Sequence, residues 1–379
     1  MISTREVFAL ILAAGSGARF GSGDKLWQSL LGRKVWQFSF EQFAKHPMVS
    51  GVAVVCPPDR IADYRKEIGN RATVVEGGRT RAESARLGLA VAPRDAALIA
   101  VHDAARPLVS QSLLTKLFEA ASEHGSAIPA LPVVDSLKNE LGEPVDRSGL
   151  RAVQTPQVFR REWLAEAYAT GEEATDDAEL VRRAGHPLRF VPGEPTNVKI
   201  TRTEDMKLLN RLVPTEVRVG HGYDIHAFAE GRRLILGGVE IPWHKGLAGH
   251  SDADALTHAI MDALLGAAGL PDIGCRFPNT DPTWKDANSL SLLASVAKEL
   301  TESGCRILNI DATIVAQAPK MAPFAEQMKA NLASAMGVSH RKIGLKATTH
   351  EGVGSLGREE GIACFAAALI AAPLDDCGG

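Results

Sequence analysis

Short, continuous apolar runs recur through the first half of the chain at Val7 to Leu12, Val52 to Cys56, Thr73 to Val75, Leu98 to Val101 and Ala127 to Pro132. Runs of this kind, without polar alternation, are expected of strands buried on both faces of a parallel sheet. Between them lie stretches with helical spacing, at Arg81 to Val91 and at Ser110 to Glu123, where Leu113, Leu114, Leu117 and Phe118 fall on one side. Strands alternating with helices predict a three-layer α/β sandwich with a mostly parallel sheet over residues 1–212. Ligands of such sheets bind at the carboxyl ends of the strands. Gly15, Gly77-Gly78 and His102-Asp103 fall there.

The pattern changes near residue 213. A charged helical stretch, Glu204 to Leu212, gives way to Pro214 and then to a strand pattern around Val217 and Val219, so residues 213–217 read as a short junction and 218–379 as a second domain. Asp224 and His226 stand two positions apart in that strand, which puts both side chains on one face. Further on, Ser251 with Asp254 has the form of a capping box ahead of the apolar run Ala259 to Leu265. His258 is then expected about two turns into that helix, on the side shared with Asp254 and Asp262. An Asp-His-His set leaves one position of a tetrahedral zinc ion open. Separate structural roles for the two histidines fit the spacing as well, and residue types alone leave both readings open.

The strand Val7 to Leu12 runs into Ala13-Ala14-Gly15-Ser16-Gly17-Ala18-Arg19. Small residues there let backbone N–H groups approach a phosphate, and Arg19 and Lys25 add charge. The spacing matches neither a dinucleotide fingerprint nor a Walker ending. Gly77 to Ser84 is either a plain turn and helix start or a holder of base and ribose. Asp103, just past a strand end, suits either a magnesium ion on a triphosphate or an ion pair with an arginine.

At 379 residues with a formal charge of −3, the chain is long enough for two or three cores and carries no basic field for nucleic acid. Five scattered cysteines without a C-x-x-C pair argue for reduced thiols. Met1 to Glu6 has no export-signal profile and no apolar run reaches membrane-spanning length. A soluble, cytoplasmic protein with no nucleic-acid or membrane partner is expected.

The phrases Gly220-His221-Gly222-Tyr223-Asp224-Ile225-His226, Leu247 to Asp254, Asp272-Ile273-Gly274, Ala316 to Met321 and Lys346-Ala347-Thr348-Thr349 occur in order. Together they resemble the 2-C-methyl-D-erythritol 2,4-cyclodiphosphate synthase family, over about residues 217 to 372. The resemblance implies an α+β domain that is trimeric, hence a homo-oligomer, with active sites between subunits. It implies a zinc or other divalent ion on Asp224, His226 and His258, and a second divalent ion on Glu351 at the diphosphate. Substrate phosphates would meet His250 and Ser251, and sugar hydroxyls Asp272 and Gly274. Ala316, Lys320, Met321, Ala347, Thr348, Thr349 and Arg358 would hold the remaining cytidine and phosphate groups. The reaction implied is attack of a 2-phosphate on the β-phosphorus of a cytidine diphosphate ester, closing a cyclic diphosphate and releasing CMP.

In the first half, Leu12 to Arg19, Gly77 to Ser84, Val101 to Pro107, Val145-Asp146-Arg147, Gln154-Thr155-Pro156-Gln157, Thr175-Asp176-Asp177 and Asn197-Val198-Lys199 resemble the 4-diphosphocytidyl-2-C-methyl-D-erythritol synthases. The resemblance spans about residues 5 to 212 and implies a Rossmann-like nucleotidyltransferase sandwich. It implies that CTP, with magnesium or manganese at Asp103, lies against Ala13, Ala14, Gly15, Gly17, Gly78, Arg81 and Ser84. Arg19, Lys25, Arg147 and Lys199 would be catalytic, and Arg106, Ser136 and Thr155 would line the acceptor site. Two departures stand out: Asp24-Lys25-Leu26-Trp27 replaces the usual Pro-Lys-Gln, and Asn279 follows Phe277-Pro278 where an acidic residue is common. The competing reading is a sugar-phosphate nucleotidyltransferase fused to a metal-dependent phosphohydrolase.

Overall fold

The structure, a computed structural model, describes residues 6–15, 20, 24–278, 281 and 287–374. Gly17, Arg19, Asn279 and the tail 375–379, expected to be disordered, lie outside the described residues. The chain divides into two compact units, Met1–Val213 and Pro214–Gly379.

In the first unit, β1 (Val7–Leu12) pairs in parallel with β2 (Val49–Cys56) on one side and β4 (Leu98–Asp103) on the other; β3 (Thr73–Glu76) lies beyond β2. Alternation along β1 explains the three layers. Val7, Ala9 and Ile11 pack against helices α1 (Val35–Ala44) and α3 (Gln111–His124), through Trp36, Phe40, Leu113 and Leu117. Phe8, Leu10 and Leu12 enter a second core with Ala85 and Leu89 of α2 (Arg81–Ala90). A strand covered on both faces has no polar side to show, hence its unbroken apolar run.

The sheet is more mixed than the sequence suggests. Strands β5 (Ser126–Pro132), β6 (Arg151–Val153), β7 (Gln157–Arg160) and β8 (Phe190–Pro192) extend it in the order β6-β5-β7-β4-β1-β2-β3, with β8 on β5. β7 returns between β5 and β4 antiparallel to both, since no crossover helix precedes it. The segment from β5 to β6 is an exposed arm with a small hairpin, Leu137–Lys138 against Pro144–Val145.

The second unit is built on a five-stranded sheet, in which β9 (Thr215–Ala229), β10 (Gly246–Leu247), β11 (Arg306–Val315), β12 (Ile343–Thr348) and β13 (Gly361–Pro373) run in the order β10-β9-β13-β11-β12. β9 starts at Thr215, so residues 215–217, assigned above to the junction, already pair with Ala371 to Pro373. Only Val213 and Pro214 separate the preceding helix from this strand. Helices α4 (Ala255–Ala267) and α5 (Ser289–Glu302) contribute Ile260, Leu264, Leu293 and Val296 to the core on one face. The other face leaves Val217, Val219, Tyr223, Ile225 and Phe365 exposed.

The start of α4 differs from the expected capping box. Asp254, not Ser251, is the N-cap: its carboxylate accepts from Thr257 N–H and also from Gly237 N–H and Gly238 N–H, which only a buried side chain can reach. His258 therefore stands one turn into the helix instead of two.

Candidate active sites

Asp103 ends β4 directly opposite Leu12, the last residue of β1, so its carboxylate meets the chain leaving that strand. Arg81 Nε donates to Asp103 Oδ1 at 3.2 Å and Lys199 Nζ to Oδ2 at 2.6 Å. Burial by itself would raise this carboxyl pKa, but the two cations outweigh it and hold Asp103 well below the usual carboxylate range. Arg81 Nη1 also donates to buried Asp177, whose other oxygen accepts from Tyr168. The remaining nitrogen, Arg81 Nη2, is buried without a hydrogen-bond partner, a donor placed for a ligand.

One cavity is lined by Ala14, Gly15, Lys25, Gly78, Arg81, Ser84, Asp103 and Lys199. The structure thus gathers most of the residues expected to meet nucleotide. Ala13 lies below, its N–H on the Val55 carbonyl. Ser84 Oγ accepts from Gly78 N–H and fixes the turn that forms one wall.

Thr155 sits behind Asp103 in a directed set of bonds. His102 Nε2 is 3.0 Å from the Arg106 carbonyl, which can only accept, so this nitrogen carries the hydrogen. Nδ1 then accepts from Thr155 Oγ1 at 3.3 Å, and Thr155 Oγ1 accepts from Asp103 N–H at 3.1 Å. Burial lowers the His102 pKa to about 4 and keeps the ring neutral. Arg106 donates to the Asn197 carbonyl. Ser136 and Arg147 are elsewhere: both lie exposed on the arm, where Arg147 donates to the Val134 carbonyl, and neither lines the cavity. Sequence reasoning assigned no role to Asp177 or His102, although both stand inside quoted phrases.

In the second unit Asp224, His226 and His258 each offer a ligand atom within 4.8 Å of one another. Asp224 Oδ2 is 2.9 Å from His226 Nε2 and 3.0 Å from His258 Nδ1. His226 Nδ1 faces the Ala248 carbonyl at 2.5 Å, so its hydrogen sits there and Nε2 is left with a lone pair. Buried Nε2 has no well-aimed hydrogen-bond partner despite its closeness to Asp224, as suits a ligand atom aimed at a shared cation. Burial alone would raise the Asp224 pKa, but the two imidazoles hold it low. Two imidazoles and a carboxylate fit a divalent ion such as zinc.

His250, Ser251 and Gly274 line the same cavity, with Met261, Phe277 and Leu292 as its apolar wall. Asp272 caps the short helix Ile273–Arg276 next to it. Ala316, Lys320, Met321, Ala347, Thr348, Thr349, Glu351 and Arg358 do not line this cavity. Ala316 N–H pairs with the Thr348 carbonyl and Thr349 donates to Glu351 at the ends of β11 and β12, while Arg358 donates to Glu360 just ahead of β13.

An anion-accepting cavity at the carboxyl ends of parallel strands, joined in one chain to a carboxylate-bis-histidine set that could hold a metal ion, suits a protein that handles phosphate esters. The 2-C-methyl-D-erythritol 4-phosphate cytidylyltransferase family matches residues 7–213, and the YgbB family matches residues 217–371. A bifunctional enzyme IspD/IspF of Anaeromyxobacter dehalogenans is 46% identical over 98% of this chain and 99% of its own length. That of Desulforudis audaxviator is 44% identical over 96% of this chain and 97% of its own. The solved structure of the bifunctional IspDF from Campylobacter jejuni matches with a TM-score of 0.50 at 34% identity, covering 97% of this chain and 98% of that one. The chain belongs to the bifunctional IspD/IspF family. It joins a cytidylyltransferase making 4-diphosphocytidyl-2-C-methyl-D-erythritol to a CMP-releasing cyclodiphosphate synthase, two steps of the non-mevalonate isoprenoid route. The sugar-phosphate nucleotidyltransferase reading is not favoured.

Proposed function

We propose how the residues divide this work. In the first unit, the phosphate of 2-C-methyl-D-erythritol 4-phosphate attacks the α-phosphorus of CTP and expels pyrophosphate. Such transfer needs alignment and charge neutralisation more than covalent help. Lys25, with Arg19, balances the triphosphate; Gly15, Gly78, Arg81 and Ser84 hold the nucleotide. A magnesium or manganese ion at Asp103 supplies further neutralisation when bound. Lys199 orients the attacking phosphate and Arg106 and Thr155 border it; Arg147 and Ser136, which lie off this cavity within one chain, would join it only from the arm of a second copy.

In the second unit, Asp224, His226 and His258 would hold zinc, which would supply Lewis acidity for the phosphoryl transfer, and Glu351 would hold a second divalent ion. His250 and Ser251 hold the attacking 2-phosphate and Asp272 the sugar hydroxyls. The cluster of Ala316, Lys320, Met321, Ala347, Thr348, Thr349 and Arg358 holds the cytidine and its phosphates. Because that cluster stays off the metal cavity within one chain, and because Val217, Val219, Tyr223 and Ile225 form an exposed apolar face, a homo-oligomer with sites completed between copies is the reading supported. Free thiols at Cys56, Cys275 and Cys364 support a reducing, cytoplasmic setting. Among the described residues no helix is long and apolar enough to cross a membrane.

The observation that carries the proposal is the convergence of Asp224 Oδ2, His226 Nε2 and His258 Nδ1. Phosphorus NMR tests it: zinc-loaded protein given 4-diphosphocytidyl-2-C-methyl-D-erythritol 2-phosphate yields a cyclic diphosphate and CMP, and metal-stripped protein yields neither. Linear phosphate release, or cyclisation indifferent to metal, would sink it.

A further inference from the structure

Ser289 opens α5 and is fully buried. Its backbone N–H donates to Asp252 Oδ2 at 3.0 Å, and its hydroxyl donates to Asp252 Oδ1. An ionised carboxylate has no hydrogen to give, so the single hydroxyl hydrogen of Ser289 is committed to Asp252. Towards His258 Nε2, 3.1 Å away, Ser289 Oγ can therefore only accept. Nε2 must carry the hydrogen, and Nδ1 is turned to Asp224 and His226. Ser251 Oγ, also 3.3 Å from Nε2, accepts from Ala253 N–H and bonds to no carboxylate among the described residues, so it can take either role and the shorter Ser289 bond sets the tautomer.

We propose that Asp252 and Ser289 are positioning residues for the metal: through the chain Asp252 to Ser289 to His258 they lock His258 in the tautomer that presents Nδ1 to the ion. The inference rests on the metal reading of Asp224, His226 and His258. It explains how the two histidines present opposite ring nitrogens to one point. His226 is fixed by a backbone carbonyl at Nδ1, while His258 is fixed at Nε2 by a carboxylate acting through a hydroxyl. Groups that orient a metal-bound imidazole in this way typically change metal affinity by about 10–100-fold when removed.

The test is zinc affinity of the full chain by chelator competition, with cytidylyl transfer as the check that the first unit is intact. His258→Ala, the reference, loses tight zinc binding. Ser289→Ala weakens zinc by about 10–100-fold. Asp252→Ala, which frees the Ser289 hydrogen to turn towards Nε2 and release the tautomer, also weakens it, and remains informative if Ser289→Ala fails to fold. The double variant is no worse than the weaker single one, because both act through the same bonds. Parent-like zinc affinity in Ser289→Ala or Asp252→Ala overturns the proposal, as does a fully additive loss in the double variant. If His258→Ala keeps parent-like zinc affinity, the metal reading itself fails and the proposal falls with it.

Discussion

A Cβ placed on Gly222 would sit 1.9 Å from the carbonyl oxygen of Ala259: the backbone of β9 and the backbone of α4 touch at that point. Gly220 makes the same approach one strand repeat earlier, 2.0 Å from the Ala263 oxygen. Alternation puts Gly220, Gly222, Asp224 and His226 on one face, so the contact that seats α4 also sets His258 against Asp224 and His226. Gly222→Ala should therefore push the helix away, destabilise the second unit by about 1–3 kcal/mol or more and lose zinc. Urea unfolding with zinc titration checks both, and unchanged zinc affinity would refute the coupling.

His258→Ala should abolish cyclisation and leave cytidylyl transfer intact, since the two centres lie in separate units. Parallel phosphorus NMR assays on one preparation decide it. Loss of both activities would contradict two independent centres.

Asp103→Asn should do the reverse. It removes the charge facing Arg81 and Lys199 and is expected to lower cytidylyl transfer by about 10²–10³-fold without slowing cyclisation. Steady-state rates for both half-reactions measure the split. Transfer within a few-fold of the parent would remove Asp103 from the site.

His102 makes the first unit sensitive to mild acid. Its pKa falls from 6.5 in the unfolded chain to about 4 when folded, so across that interval unfolded protein binds a proton that folded protein refuses. Stability then rises with pH between those limits, and acidification to pH 4 costs up to about 3 kcal/mol at about 1.4 kcal/mol per unit. Asp103 does not oppose this. Its folded pKa is depressed, so its contribution is intact above its unfolded value near 3.9 and is lost only below that. His102→Gln should flatten the dependence in urea unfolding at a series of pH values; equal slopes for parent and variant would count against it.

The cytidylyltransferase half was readable because its signals are local. Val7 to Leu12 is apolar at every position and is covered on both faces, and Gly15, Gly78, Ser84 and Asp103 follow strands or open helices, so chain order alone brings them to one cavity. What stayed hidden depends on approach between distant segments. Asp177 meets Arg81 across 96 positions, and Asp252 meets Ser289 across 37. No periodicity links such pairs. The cap of α4 was misplaced because Asp254 also satisfies Gly237 and Gly238, partners that a capping rule does not consider. One signal was present and unused: Ala259, Ala263 and Ala267, four apart, mark the side of α4 that meets Gly220 and Gly222.

The long ladder between β9 and β13 pairs Thr215 with Pro373 and continues without a shift through Asp224 with Cys364 and His226 with Ile362. Slipping a strand by one residue exchanges its two faces. A single-codon insertion or deletion between Thr215 and Gly220 would thus present Gly220, Gly222, Asp224 and His226 to the wrong side, even if every backbone hydrogen bond re-formed. Insertions and deletions in this unit are therefore expected to be tolerated only in segments outside the ladder.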